Sequence, residues 1–248
     1  MIKVFTVSDI HGHYHVLKDA LKAAGYDEKE TSHHLLVLGD LFDRGTESDL
    51  VFSYLKRLYD EKKATIILGN HDYFLLEFFN KQDDRTVFNI KHNGFDLTLT
   101  AFSDQTVTVD SDFDAIRATM MRRVPTLKPF LEQLPLFIET RNYVFTHGGI
   151  DGSKTDYDEI SKKDFVWQYQ YDLDPPKDKT AVVGHMRTAH IRLKEDPHLK
   201  LTKDNLNLFK PLYKPQKVFI DGFVEFSKHI NVVVFEIDEI SFKDAFNQ

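Results

Sequence analysis

A chain of 248 residues that is 42% hydrophobic can bury a large core without covalent staples. It has no cysteine, which excludes disulfides, thiolate metal sites and a cysteine nucleophile and suits a reducing, cytoplasmic setting. The formal charge of −7 argues against stable nucleic-acid binding, which needs a basic stripe to neutralise phosphates.

In chain order, Ile2–Val7 is a short apolar run that reads as a strand, too brief for a signal peptide. No stretch approaches the length of a membrane span, so no membrane is expected as a partner. Val16, Leu17, Ala20, Leu21 and Ala24 then share one helical face that stops at Gly25. A second strand is expected at His34–Leu38, and a second helix carries Leu50, Val51, Tyr54, Leu55 and Leu58 on one face. Ala64–Leu68 completes a βαβαβ order, which makes this part of the sheet parallel.

Residues 73–135 read as mainly helical (Phe74–Phe79, Phe113–Arg123, Leu127–Leu134), with Leu97–Phe102 open between helix and strand. Tyr143–Phe145 and Ala181–Val183 are further strands. Asp172–Lys179 is the nearest thing to a linker, and Glu195–Gln216, punctuated by Pro197, Pro211 and Pro215, reads as an irregular excursion. Lys217–Ile220 and Ile230–Ile237 read as closing strands. The whole is expected to be one α/β domain over 1–248.

A polar cluster follows each of the first five strands: Ser8-Asp9-Ile10-His11-Gly12, Gly39-Asp40-Leu41-Phe42-Asp43-Arg44-Gly45, Gly69-Asn70-His71-Asp72, His147-Gly148-Gly149 and Gly184-His185. Seven of the 11 glycines fall in these clusters, so five tight loops are expected to converge beyond the strand ends. Asp9 and His11, two apart, point the same way if the backbone is extended.

Imidazole, carboxylate and amide oxygen together suit manganese, iron, zinc or cobalt rather than calcium. Two such divalent ions need a shared carboxylate, which a residue placed like Asp40 can supply. Arg44 offers the planar fork that grips phosphate oxygens. His71 can donate a proton to a departing oxygen, with a carboxylate orienting its ring. One Asp-x-His pair alone is usually solvated surface. His15, His33, His34, His92, His190, His198 and His229 are read that way, with His13 as an outer-shell candidate.

The order Asp-x-His-Gly, Gly-Asp-x-x-Asp-Arg-Gly, Gly-Asn-His-Asp, His-Gly-Gly and Gly-His resembles the calcineurin-like metallophosphoesterases, and the arginine in the second motif resembles the phosphoprotein phosphatase branch. The resemblance implies two packed mixed β-sheets flanked by helices, with two divalent metals at the strand ends. One metal falls to Asp9, His11 and Asp40, and the other to Asp40, Asn70, His147 and His185. Arg44 would bind the phosphoryl group, Asn70 would also face substrate, and His71, oriented by Asp43, would be the general acid. Phe219-Ile220-Asp221-Gly222 and the strand after it resemble a closing hairpin of compact bacterial members. One departure stands out. The branch usually supplies a second phosphate-binding arginine between the last two motifs, yet no arginine occurs from Gly148 to Gly184; Arg187 or a lysine is the replacement, or one arginine suffices.

The resemblance implies a metal-dependent phosphatase, with manganese the first expectation, acting on phosphoserine and phosphothreonine of a protein partner or on a small phosphoester. The alternative is a dinucleoside polyphosphate (diadenosine tetraphosphate-type) hydrolase. Diester-cleaving branches usually lack an arginine equivalent to Arg44. An inactive binding scaffold is opposed by the presence of every named ligand.

Overall fold

The computed structural model describes residues 1–154, 157 and 160–238. Strand β1 (Ile2–Val7) is apolar on both faces because both are covered. Val4 joins the core between two sheets, while Phe5 and Val7 join the core beneath the helices. β2 (His33–Val37) and β3 (Ala64–Ile66) pair in parallel with it in the order β3-β2-β1. The connecting helices, α1 (Tyr14–Ala23) and α2 (Ser48–Asp60), cover one face, as expected for βαβαβ.

Helix α1 ends as the sequence predicts. Gly25 takes φ +81°, and the Gly25 and Tyr26 amides bond the Lys22 and Leu21 carbonyls, which closes a Schellman turn. In α2 the buried face is Val51, Phe52, Tyr54, Leu55 and Leu58. Leu50, expected on it, is exposed, because Phe52 falls on the core side in its place.

Five helices follow: α3 (Asn70–Phe79), α4 (Thr86–Asn93), α5 (Phe95–Ser103), α6 (Phe113–Arg123) and α7 (Leu127–Glu132). The open segment Leu97–Phe102 is helical. Phe95, Leu99 and Phe102 are spaced four and three apart and all reach the helical core, which a strand could not arrange.

A second sheet holds β4 (Phe137–Glu139), β5 (Tyr143–Thr146), β6 (Thr180–Val183), β7 (Leu212–Lys214) and β8 (Lys217–Phe219), in the order β4-β5-β6-β8-β7. β5, β6 and β8 run parallel, and β4 and β7 are antiparallel edges. Its outer face packs on α8 (Lys162–Trp167) through Phe165 and on α9 (Thr188–Glu195) through Ile191. Val4, Leu36, Leu38 and Ile67 of the first sheet meet Ile138, Phe145, Val182 and Val218 of the second, so two mixed sheets pack face to face with helices outside.

The closing hairpin is not formed as expected. β8 pairs instead with β7, through a turn in which Gln216 adopts φ +54°, so the end of the irregular excursion is itself a strand. After β8 the chain passes through the short helix α10 (Val224–Ser227) and crosses to the other sheet. There β9 (Val233–Ile237) pairs antiparallel with β1. The alternation of Val233, Phe235 and Ile237 inward with Val234 and Glu236 outward suits that edge position.

Candidate metal centre

The five glycine-bearing loops meet where the parallel strands end. Loops from different sheets are tied directly: the His147 ring bonds the Leu38 carbonyl at 2.6 Å, and the His185 amide donates to Asp9 Oδ2 at 3.0 Å. Asp9, His11, Asp40 and His185, with Asp43 and Arg44, all have φ between +47° and +72°. The expectation of extended backbone at Asp9 and His11 is therefore wrong. Left-handed turns, not strand alternation, bring their side chains together. Such conformations cost of order 1–3 kcal/mol each in non-glycine residues and cluster at functional sites.

Glycine is required where the loops touch. A Cβ on Gly69 would lie 2.2 Å from the Asp40 nitrogen and 2.3 Å from Asp40 Oδ1. The Asp72 carboxylate fixes the same junction, accepting from the Gly69, Asp40 and Leu41 amides at 2.9 Å each.

The donor set points inward, acceptor against acceptor. His11 Nδ1–H donates to the Phe42 carbonyl at 2.8 Å, and His147 Nδ1–H donates to Leu38, so each ring turns its Nε2 lone pair to the interior. His147 Nε2 lies 2.9 Å from Asn70 Oδ1 and 3.3 Å from Asp40 Oδ1. His11 Nε2 lies 3.6 Å from Asp40 Oδ2 and 3.9 Å from Asp9 Oδ1. His185 Nε2 is buried without any hydrogen-bond partner. Acceptors facing acceptors in a dry site are unfavourable unless a cation or an added proton lies between them.

The titration pattern carries the same message. Burial lowers His147, but the Asp40 carboxylate outweighs it and drives the ring up to about 10. Burial raises Asp40, yet His147 and His71 hold it well below the usual carboxylate range. Burial and the nearby Asp221 carboxylate push Asp9 well up, and burial with His147 takes His185 down to about 3. The carboxylates thus draw positive charge toward His147 while His185 stays neutral with its Nε2 lone pair free, and this residue set fits divalent metal.

Among the described residues two groups of ligand atoms lie within 4.8 Å of one another: Asp40 with His147 and His185, and Asp40 with His11 and His71. Asp40 belongs to both. His71 Nδ1 is 2.6 Å from Asp43 Oδ2, and Asp43 Oδ1 accepts in turn from Thr98 Oγ1 at 2.7 Å. Arg44 reaches His11 Nε2 at 2.8 Å and His71 Nε2 at 3.1 Å. Every expected site residue is therefore in one cluster. Four contributors escaped the sequence: Asp72 and Asp221, each visible in a motif but without a role, and Thr98 and Glu225, which carry no motif of their own.

A cavity of about 400 Å³ opens over the cluster. Asp9, Asp40, Arg44, Asn70, His71, His185 and Arg187 line one part, and Phe74, Arg85, Phe88, Trp167 and Tyr169 another.

Comparison with known proteins agrees with this architecture. The family model for calcineurin-like phosphoesterases matches residues 2–211, and the chain belongs to that family, which uses a dinuclear divalent metal site. A symmetrical bis(5'-nucleosyl)-tetraphosphatase of Edwardsiella ictaluri is 39% identical over 84 residues, 32% of this chain and 29% of that protein. The chain thus spans about a third of the length of such relatives. A solved structure provisionally named a diadenosine tetraphosphatase superposes with a TM-score of 0.59 at 20% identity, covering 94% of this chain and 89% of that one. A serine/threonine phosphatase from Saccharomyces cerevisiae superposes with a TM-score of 0.54 at 15% identity, covering 96% and 81%. Likeness at that identity shows the fold alone. Among the described residues no helix is long and apolar enough to cross a membrane.

Proposed function

We propose that this protein hydrolyses nucleoside polyphosphates of the dinucleoside tetraphosphate type, with Asp9, His11 and Asp40 holding one divalent metal and Asp40, Asn70, His147 and His185 the other. Bound there, the two ions would supply a water of lowered pKa and positive charge for the phosphoryl oxygens. Asp40 neutralises charge at both positions. Arg44 presents its fork to the phosphoryl group, and Asn70 faces substrate from the first turn of α3. Asp43, held by Thr98, accepts from His71 Nδ1 and leaves Nε2 on the cavity side to protonate the leaving oxygen. Manganese leads the candidate metals, with iron, zinc and cobalt sharing the same ligand chemistry.

One observation carries the choice of substrate: the lining of the metal cavity is in part aromatic and cationic. The Arg85 guanidinium lies 5.6 Å over the Phe74 ring and 5.5 Å over Trp167. Phe88 and Tyr169, which line the same cavity and pack on the His92 and His185 rings, are 59% and 52% exposed and present a free ring surface to it. Such a wall suits the flat face of a nucleobase, worth about 1–3 kcal/mol per stacked base. The tetraphosphatase relatives favour the same reading.

The phosphoserine and phosphothreonine protein phosphatase reading rests on the same metal centre and is supported by a protein phosphatase relative from Plasmodium berghei, 25% identical over 160 residues. A cytoplasmic location belongs to the proposal, in keeping with a chain free of cysteine. A substrate panel in manganese decides between the two: diadenosine tetraphosphate, phosphoserine and phosphothreonine peptides, p-nitrophenyl phosphate and its bis-ester. The proposal expects the highest kcat/KM for the dinucleotide, with loss on Trp167→Ala and Phe88→Ala. A phosphopeptide preferred over it would overturn the nucleotide assignment and restore the protein phosphatase.

A further inference from the structure

The chain lacks an arginine where its branch of the family usually places the second one, and the structure brings another to the site from a different direction. Arg187 caps the start of α9 and lines the metal cavity. Its guanidinium Nη2 donates to Glu225 Oε1 at 2.5 Å, and Arg44 Nη1 donates to that same oxygen at 2.8 Å. One carboxylate oxygen therefore joins two guanidinium groups 143 residues apart in the chain. Uncompensated, two such cations at this separation repel each other, and each side chain would relax toward solvent.

Glu225 is itself held by a purpose-shaped turn. It sits on α10 between Phe223 and Lys228, both with left-handed backbone (φ +58° and +56°). The Phe223 amide bonds Asp221 Oδ1 at 2.7 Å, and the Asp221 carbonyl receives the Thr188 amide, the first residue of α9. The turn is thus fastened to the helix that Arg187 begins. The Phe223 ring lies 4.0 Å beneath the Arg187 guanidinium, so Arg187 is fixed by a ring on one side and a carboxylate on the other. Among the described residues Glu225 is the one hydrogen-bond partner of the Arg187 side chain. The second Glu225 oxygen is buried with no partner. A carboxylate kept in that costly state needs a reason beyond local stability.

We propose that Glu225 is a positioning residue that assembles Arg44 and Arg187 into a paired guanidinium clamp for the phosphoryl group, with Arg187 as the second phosphate-binding arginine. The assignment rests on the phosphoesterase reading above. Glu225 touches no substrate and acts through both arginines, Arg187 approaching from the α9 side of the cavity and Arg44 from the loop after β2.

The test uses the full-length, metal-loaded protein as wild type, Arg187→Ala, Glu225→Ala, Glu225→Gln and the Arg187→Ala/Glu225→Ala double variant. KM and kcat are measured on p-nitrophenyl phosphate, and the dissociation constant of inorganic phosphate is measured by calorimetry. Each single alanine variant is expected to weaken phosphate and raise KM roughly ten- to hundred-fold, the range for a lost charged hydrogen bond. The double variant should lose less than the product of the two single losses, because part of what Glu225 does passes through Arg187, the remainder being its hold on Arg44. Glu225→Gln keeps the shape and an acceptor oxygen, so it should fold even if the alanine variant does not, and it should show a smaller loss in the same direction. Additive losses in the double variant, or tighter phosphate binding by Glu225→Ala or Glu225→Gln, overturn the assignment; the latter would make Glu225 a competitor of substrate. A wild type that neither turns over a phosphoester nor binds phosphate overturns the phosphoesterase reading itself. A wild type that does both, with Glu225 variants unchanged, overturns the clamp alone.

Discussion

His71 is the residue whose surroundings admit two roles. Its Nδ1 is committed to Asp43, whereas its Nε2 lies 3.9 Å from Asp40 Oδ2, close enough to group with His11 and Asp40 as a ligand set. The Asp43–His71 pair, braced by Thr98, is the geometry of an oriented acid. The ligand alternative predicts loss of metal when the ring is removed. General acid catalysis matters most when the leaving oxygen is basic, as in a serine alkoxide, and little for p-nitrophenolate. His71→Asn is therefore expected to slow phosphoserine-peptide turnover at least tenfold more than p-nitrophenyl phosphate turnover, with metal content unchanged. Elemental analysis showing one metal lost would move His71 into the coordination shell.

At the scale of elements, the junction of the β2 and β3 loops is the point of least tolerance. Gly69→Ala would drive a Cβ into the Asp40 backbone, which Asp72 holds at the Asp40 and Leu41 amides, and into the Asp40 carboxylate, which the His71 amide holds at 2.9 Å. The expected result is loss of bound metal with a stability cost of about 2–4 kcal/mol, typical of overpacking joined to a broken buried network. Thermal denaturation and metal analysis of the variant would show it.

A second prediction at this scale concerns Glu28, which bonds Lys18 of α1 at 3.0 Å and Arg57 of α2 at 2.7 Å. Burial pushes Glu28 up, but the bonds to Arg57 and Lys18 outweigh it and bring it to about 2. Because the folded value lies below the unfolded 4.5, the stabilisation is present above about pH 4.5 and fades as pH falls toward 2. Solvent screening limits it to about 0.5–1 kcal/mol. Glu28→Gln should thus be less stable than wild type at pH 7 and equal to it near pH 2, measured by urea denaturation of metal-free protein. A gap that widens on acidification would contradict the pairing.

The elements also explain what the sequence could convey. β1, β2 and β3 are buried on both faces and separated by amphipathic helices, so periodicity and glycine punctuation expose them within a residue or two. Asp9, His11, Asp40, Asn70, His147 and His185 each follow a strand directly and were legible for that reason. β8 and β9 look adjacent in sequence but belong to different sheets, because the αL turns at Phe223 and Lys228 redirect the chain in a way residue type does not announce. Glu225 meets Arg44 across 181 residues of sequence, and Thr98 meets Asp43 across 55. Such partners become visible only once the packing is known.

For the whole molecule, a chain of net charge −7 gathers Asp9, Asp40, Asp43, Asp72 and Asp221 into one buried region beside Arg44 and Arg187. Two divalent ions would supply the missing positive charge, turning an acidic protein into a receptor for an anionic substrate. On the proposed assignment Asp40 would stand between them. The most direct measurement is a crystal structure of manganese-soaked protein with anomalous data, on wild type and Asp40→Asn. Wild type should show two manganese peaks about 3.5–4 Å apart, with Asp40 bonded to both, as in other two-metal sites, and Asp40→Asn should lose at least one peak along with turnover. A single peak in wild type, two peaks without Asp40 between them, or an Asp40→Asn protein that keeps both metals and full activity would contradict the account.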